Sequence, residues 1–537
     1  MEFLNITPRA YQQAIFETAK ERNSLVVLPT GMGKTLIALM LATYRLEKFP
    51  ESKILFLAPT RPLAEQHLEY FKKHLPELYA DMTLFTGKVS AGKREGLWVE
   101  SSIIFSTPQC IAHDVKAGRF DLHDVSLLIE DECHRCLKNY DYTLVVQQYK
   151  EQAEHPRILG LTASPGSKSE TINLICKNLG IEAIEIRHRN SEDVKPYIQE
   201  LKQELINVEL PEEFKKIREL LKEIYDKRVE ELKNRGLFFS NNITKRTLLE
   251  LQGSLQRKIS SGNKHFNFLR GVSVCAQAIK IGHAIELIET QSVGVLYNYI
   301  QNLFEQAKQG KSKAVQQLVN NKNFQEAYIK LLELSKLGIE HPKLSKLSEV
   351  IEREFKENKK SKIIVFSQYR DTAARICKQL NDLGKSANLN IKAKVFVGQL
   401  KKGDTGLSQK EQQVVLSDFR IGLVNILCAT SIGEEGLDIP EVNAVIFYEP
   451  IPSAIRQIQR RGRTARLMAG KLIILMTKKT LDEAYYWAAF HKERKMYGVL
   501  DKMQKEFNSK NEEKSRKNWG NLNKIISFSF QFPCNYL

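Results

Sequence analysis

Cysteine is scarce in this sequence: eight residues scattered over 537. That spacing excludes a disulfide framework and agrees with a reducing compartment. Only Cys133 and Cys136 stand in CxxC spacing, and no second CxxC or pair of histidines supplies the two further ligands that a zinc site needs. No apolar run approaches the eighteen or so residues that span a bilayer, and the start, MEFLNITPR, has neither a basic n-region nor an apolar h-region. The expectation is a cytoplasmic protein with no membrane partner. Acidic residues are outnumbered, 63 against 81 Lys and Arg, which leaves a net charge of +18 and favours a polyanionic partner. What remains is an ordinary globular composition, 42% hydrophobic and 27% charged, in a chain long enough for about three domains.

The stretch LVVLPTGMGKT, residues 25 to 35, organises the rest. An apolar, strand-like run leads into Pro29, Thr30, Gly31, Met32 and Gly33, and Lys34 and Thr35 open a helix-like run, LIALMLATYRL. Backbone N–H groups of such a loop and of the helix N-terminus wrap phosphates, Lys34 reaches the β- and γ-phosphates, and the Thr35 hydroxyl ligates Mg²⁺. The full GxxxxGK[ST] pattern wants glycine at 28, where Leu28 stands. ATP and Mg²⁺ are the cofactors this pattern implies.

Residues 1 to 195 alternate Val/Ile/Leu runs with helix-length amphipathic segments, the pattern of a parallel sheet covered by helices. The predicted strands are SLVVL (24–28), KILFLA (53–58), SIIFS (102–106), VSLLI (125–129) and RILGLT (157–162). Ligands bind beyond the carboxyl ends of such strands. There stand LPTGMGKT, APTRPLAEQ, STPQ, EDECH and TASPG. Asp131 and Glu132 would emerge at the same edge as the phosphate loop, Asp131 to hold Mg²⁺ and Glu132 to position and deprotonate the attacking water.

Taken together, PRAYQQ, LPTGMGKT, APTRPLAEQ, DECH and TAS resemble the first motor domain of a superfamily 2 helicase. The resemblance implies that Arg9 and Gln12 read adenine, and that His134, Thr162 and Ser164 couple nucleotide state to nucleic-acid state. It also implies that Thr60, Arg61, Thr107 and Gln109 touch a sugar-phosphate backbone, a task suited to hydroxyls, an amide and an arginine.

Residues 196 to 345 change to long helical periodicity, with Phe214, Ile217, Leu220, Leu221, Ile224 and Leu232 recurring among Lys, Arg and Glu. An all-helical insertion is expected here, either a spacer or a basic thumb that grips nucleic acid. Residues 346 to 490 return to the α/β pattern in KIIVFSQ, KAKVFVGQ, VNILCAT, AVIFYEP and KLIILMT. The expected fold class is thus α/β: two RecA-like parallel-sheet domains with a helical insertion between them. ATSIGEEGLDIPEV resembles helicase motif V, which would set Thr430 and Ser431 on nucleic acid and Gly436 and Asp438 on the nucleotide side. RQIQRRGRTAR resembles motif VI: Gln459 joins the catalytic set, and Arg463 and Arg466 fit arginine fingers that neutralise charge on the transferring phosphoryl group. Residues 491 to 537 read as a basic helix fading into a flexible tail, with ERK at 493 to 495 as a charged helix face.

The domain order, with Gln399 in VGQ as a further nucleic-acid contact, GLSQKEQ and FYEPIPSAIRQIQRRGRTAR, narrows the likeness to archaeal Hef helicases and the Fanconi anaemia M translocases. That implies a monomer driven by ATP, remodelling forked, branched or duplex DNA at stalled forks beside the nucleoid, with the insertion helping to recognise the branch and a clamp or a separate nuclease as further partners. Duplex RNA as the substrate, or a branch-binding scaffold that recruits a nuclease, are the alternatives. Three positions depart from the family pattern: Glu130 in place of an apolar strand residue, Cys133 in place of Ala, and Ala465 in place of Gly.

Overall fold

The computed structural model describes residues 5–529 apart from 77–78, 139, 190, 198, 240–242, 264, 399–405, 432–438 and 465–468, with side chains as far as residue 509. The first sheet is built from β1 (Ser24–Val27), β2 (Lys53–Leu57), β3 (Met82–Phe85), β4 (Ile103–Ser106), β5 (Val125–Asp131), β6 (Ile158–Thr162) and β7 (Ala183–Ile186). Its order is β3-β4-β2-β5-β6-β1-β7, and every pairing is parallel. Helices cover both faces, so the central strands are apolar throughout rather than alternating. β5 is buried at all seven positions, including Glu130 and Asp131.

The second sheet has the order β10-β11-β9-β12-β13-β8. Its strands are β8 (Leu201–Val208), β9 (Ile363–Phe366), β10 (Ala393–Phe396), β11 (Ile426–Ala429), β12 (Ala444–Phe447) and β13 (Gly470–Thr477). β8 lies in the stretch read from sequence as the start of the helical insertion. It pairs in parallel with β13 from Leu201↔Gly470 to Val208↔Thr477, so the chain lays down an edge strand of the second sheet before it enters the insertion.

The insertion holds helices Glu212–Asn234, Lys245–Ser260, Phe266–Thr290, Val293–Lys308, Lys313–Val319 and Lys322–Lys336. Helix Phe266–Thr290 is long and apolar enough, by length and composition, to cross a membrane. Here it is the centre of the bundle: Val274, Ala278, Ile281, Ala284 and Leu287 are buried, shared between a large cluster with Phe214, Leu221 and Leu296 and a smaller one with Phe238, Leu248 and Leu255. A helix apolar on all sides is what a core position demands.

Helix Leu481–Ser529 begins inside the second domain and continues through the stretch read as a tail. Met496, Leu500 and Met503 are buried in the core of the first domain, while Arg461 of the second domain pairs with Glu493 at 2.5 Å. As far as its side chains are described, the helix is a strap across both domains.

Candidate nucleotide and nucleic-acid site

The phosphate loop leaves β1 through Leu28, which is still part of the sheet: its N–H donates to the Thr162 carbonyl at 3.1 Å. The glycine missing at 28 is therefore replaced at a position that is buried and extended with the strand. The loop's sharp bends fall at Gly31 (φ 85°) and Gly33 (φ 75°), where side chains are disfavoured. A Cβ on Gly33 would stand 2.2 Å from Gln12 Nε2. Gln12 holds the loop from behind, donating to the Met32 and Gly33 carbonyls, each at 3.3 Å, and its own Oε1 accepts the Arg9 N–H at 2.8 Å. The Tyr11 hydroxyl donates to the Met32 carbonyl at 2.8 Å. Lys34 Nζ lies over the loop and donates to the Leu28 carbonyl at 3.1 Å. A cradle too tight for a side chain, a lysine across it and a helix N-terminus behind it fit a polyphosphate.

Asp131 ends β5, two strands from β1 in the sheet, and Glu132 follows in the left-handed region (φ 52°). A non-glycine residue there stores about 1–3 kcal/mol of strain, which concentrates at functional sites. One residue that the sequence reading did not single out completes the constellation. His67, on helix Arg61–His74, faces Asp131 Oδ2 through Nε2 at 2.9 Å and Thr35 Oγ1 through Nδ1 at 3.4 Å. It therefore bridges the two side chains expected to ligate Mg²⁺. Burial pushes the Asp131 carboxyl up, but the His67 hydrogen bond and charge and the Lys34 charge outweigh it and hold the group below the usual carboxylate range.

His134 joins two motifs, DECH and TAS, at one ring nitrogen: Nδ1 lies 3.2 Å from Thr162 Oγ1 and 3.2 Å from Glu132 Oε2. The Ser164 N–H donates to Thr162 Oγ1 at 3.1 Å, and the Ser164 hydroxyl donates to Met496 Sδ of the strap at 2.9 Å. Thr107 follows β4, Thr60 follows β2, and Arg61 and Gln109 sit in the first turns of the helices after them. Because β4, β2, β5, β6 and β1 are consecutive in the sheet, these residues form a row along one carboxyl edge that continues into the phosphate loop.

In the second domain Thr430 and Ser431 follow β11 at the matching edge. Gln459 is buried on helix Ala454–Arg461 and Arg463 lies in the turn after it. Between them Gly462 sits against the phosphate loop: a Cβ there would be 2.6 Å from Thr30 Cβ. The arginine-bearing turn of one domain is thus seated on the nucleotide cradle of the other. Arg460 is instead a structural residue, fully buried with its guanidinium 4.9 Å from the Phe366 ring and 5.6 Å from that of Phe447. Gln399, Gly436, Asp438, Ala465 and Arg466 lie outside the described residues. Cys133 and Cys136 are buried in the core, and among the described residues no group of three or more His, Cys, Asp or Glu could hold a metal ion by itself.

A phosphate loop on one parallel sheet, faced by an arginine turn from a second, defines the class of two-domain, nucleotide-driven helicase motors. The DEAD/DEAH box helicase family matches residues 9–172, the helicase conserved C-terminal domain matches 342–468, and the RNA-helicase helical bundle matches 213–338. The crystal structure of the Pyrococcus furiosus Hef helicase domain is 46% identical with a TM-score of 0.68, covering 90% of this chain and 98% of that one. MJ1505 of Methanocaldococcus jannaschii, whose name is that of an RNA helicase, is 41% identical over 92% of this chain and 61% of its own length. The ATP-dependent DNA helicase fml1 of Schizosaccharomyces pombe is 32% identical over 88% of this chain and 57% of its own. The chain spans about three fifths of the length of these two relatives. It belongs to the Hef helicase family within superfamily 2.

Proposed function

We propose that the chain is an ATP- and Mg²⁺-dependent DNA translocase that remodels forked or branched DNA in replication-fork repair. The observation that carries this reading is the seating of Gly462 on Thr30, which brings the motif VI arginine turn to the phosphate loop. When bound, Mg²⁺ would neutralise phosphate charge, with Thr35 and Asp131 to hold it. Lys34 and the loop amides bind the β- and γ-phosphates, Gln12 and Arg9 define the adenine side, and Glu132 takes the proton of the attacking water. Arg463, and Arg466 beyond the described residues, stabilise the charge that spreads over the transferring group. Because those arginines come from the second domain, hydrolysis depends on the approach of the two domains. In this reading His134, whose ring nitrogen meets Thr162 and Glu132, passes that state to the row Thr60, Arg61, Thr107 and Gln109, which suits a sugar-phosphate backbone and no particular base. The fml1 name, that of a DNA helicase, favours DNA.

The steady-state ATPase rate, measured at fixed salt with no nucleic acid, single strands, linear duplex, a fork, a four-way junction and duplex RNA, tests the proposal. Stimulation by forked or four-way DNA above RNA, lost in Lys34→Ala, is the expected result. Preferential stimulation by RNA would replace DNA with RNA, the reading that the MJ1505 name favours. A Glu132→Gln protein that still remodels forks would overturn the motor altogether.

A further inference from the structure

The outer end of the helical insertion carries two phenylalanines that the bundle does not use. Phe239 is 88% exposed and Phe266 is 72% exposed, in a chain where most large aromatics are buried. Each stands beside an anchor. Phe238 is buried with Leu248 and Leu255, and Phe268 packs against that same small cluster. The two segments are also tied to one another: Arg235 Nη1 donates to Asn267 Oδ1 at 3.2 Å, and Asn267 Nδ2 donates to the Arg235 carbonyl at 3.2 Å. Neither ring is therefore a loose loop residue; both are held out from a fixed base.

The surroundings decide what these rings meet. From Lys233 to Arg270 the sequence has eight Lys and Arg against a single acidic residue, Glu250. Arg235 and Arg270 are taken up by Glu231, but Lys233, Arg257 and Lys258 are exposed on the same end. An apolar protein partner gains nothing from such a field, whereas a polyanion whose flat faces stack on aromatic rings suits both features. A paired base has its faces covered, so the rings can serve only bases that are unstacked, as at a branch.

We infer that Phe239 and Phe266 form a stacking site for unpaired bases at a branch point of the nucleic acid. The inference rests on the nucleic-acid reading above and adds how a branch is told from a linear duplex: backbone contacts are common to both, and open bases occur only at the branch.

Forks carrying 2-aminopurine at the unpaired position next to the branch, and matched linear duplexes, test it on the full chain. The wild type is expected to quench the probe in the fork. Phe239→Ala with Phe266→Ala is expected to lose the quenching and to weaken fork binding roughly tenfold or more, from about 1–3 kcal/mol per stacked base. Binding to linear duplex and the ATPase rate it stimulates should stay unchanged. Phe266→Trp should retain fork binding. Unchanged quenching and fork affinity in the double variant overturn the inference, and so does equal loss on fork and linear duplex at an unchanged melting temperature. A wild type that no nucleic acid stimulates would instead remove the reading beneath it.

Discussion

Glu130 is the residue of this site most at odds with its surroundings, and its replacement has a computable consequence. It sits inside the fully buried strand β5, one residue before Asp131. Burial drives its carboxyl from the ordinary 4.5 up to about 8, with Cys136 and Lys150 opposing only weakly. The folded protein thus keeps the acid neutral, while the unfolded chain ionises it above pH 4.5. Below that pH both states are protonated and stability is whole. As pH rises the unfolded state releases a proton that the folded state retains, so stability falls by about 1.4 kcal/mol per pH unit until the folded group titrates. Across the gap between 4.5 and about 8 that amounts to a loss of about 5 kcal/mol at most, since local opening of the strand lets the group ionise early. Glu130→Gln keeps the shape and removes the proton. Its stability relative to the wild type should therefore climb steadily from pH 5 to pH 8, by several kcal/mol in all. Hydrogen exchange of the Val125–Asp131 amides, wild type against variant at each pH, isolates this strand from the unfolding of the other domains. A difference between the two proteins that stays constant within about 1 kcal/mol over that range would refute the argument.

Two further outcomes follow from other buried groups. His67→Ala leaves the buried Asp131 without its partner at 2.9 Å; a hydrogen bond to a charged group is worth about 1.5–3 kcal/mol. The Mg²⁺ concentration for half-maximal ATPase should shift by roughly ten- to a hundredfold, as should Mg²⁺-dependent nucleotide binding without turnover, and His67→Gln should recover part of both. Lys343 and Asp482 are a fully buried pair at 2.7 Å, so Lys343→Met should cost about 3–5 kcal/mol by stranding the carboxylate. Lys343→Met combined with Asp482→Leu should restore most of it, read as the thermal transition of the second domain.

The parts of this protein legible in the sequence are those whose signal is local. SLVVL, KILFLA, SIIFS, VSLLI and RILGLT are continuous apolar runs because both sheet faces are covered, and each became a strand. The residues following them were legible for a chemical reason: phosphate and nucleic-acid chemistry needs glycines, a lysine, carboxylates and hydroxyls in short fixed patterns. What stayed hidden depends on distant chain. β8 reads LKQELINV, polar at four of its eight positions, and its reason to be a strand is β13, whose residues follow their β8 partners by 269 in sequence, across the whole insertion. β7 is an edge strand of four residues, too short for alternation to speak. His67 is one histidine in a helix, indistinguishable by pattern from a core residue until the sheet sets Asp131 and Thr35 on either side of it.

Helix Leu481–Ser529 lies between these cases. Met496, Leu500 and Met503 recur at helical spacing, a legible apolar stripe, but lysines and asparagines around them drew the reading toward a basic tail. Their function in the fold shows only in three dimensions. Glu493 holds Arg461, one residue before the glycine that touches Thr30. Three residues on, Met496 receives the Ser164 hydroxyl, and Tyr497 meets His188 edge-on at the end of the first sheet. One turn of helix thereby contacts the arginine turn of the second domain and Ser164 of the first. A change in the distance between the two domains must strain or break one of these contacts, so the geometry of the strap and that of the nucleotide cleft are not independent variables.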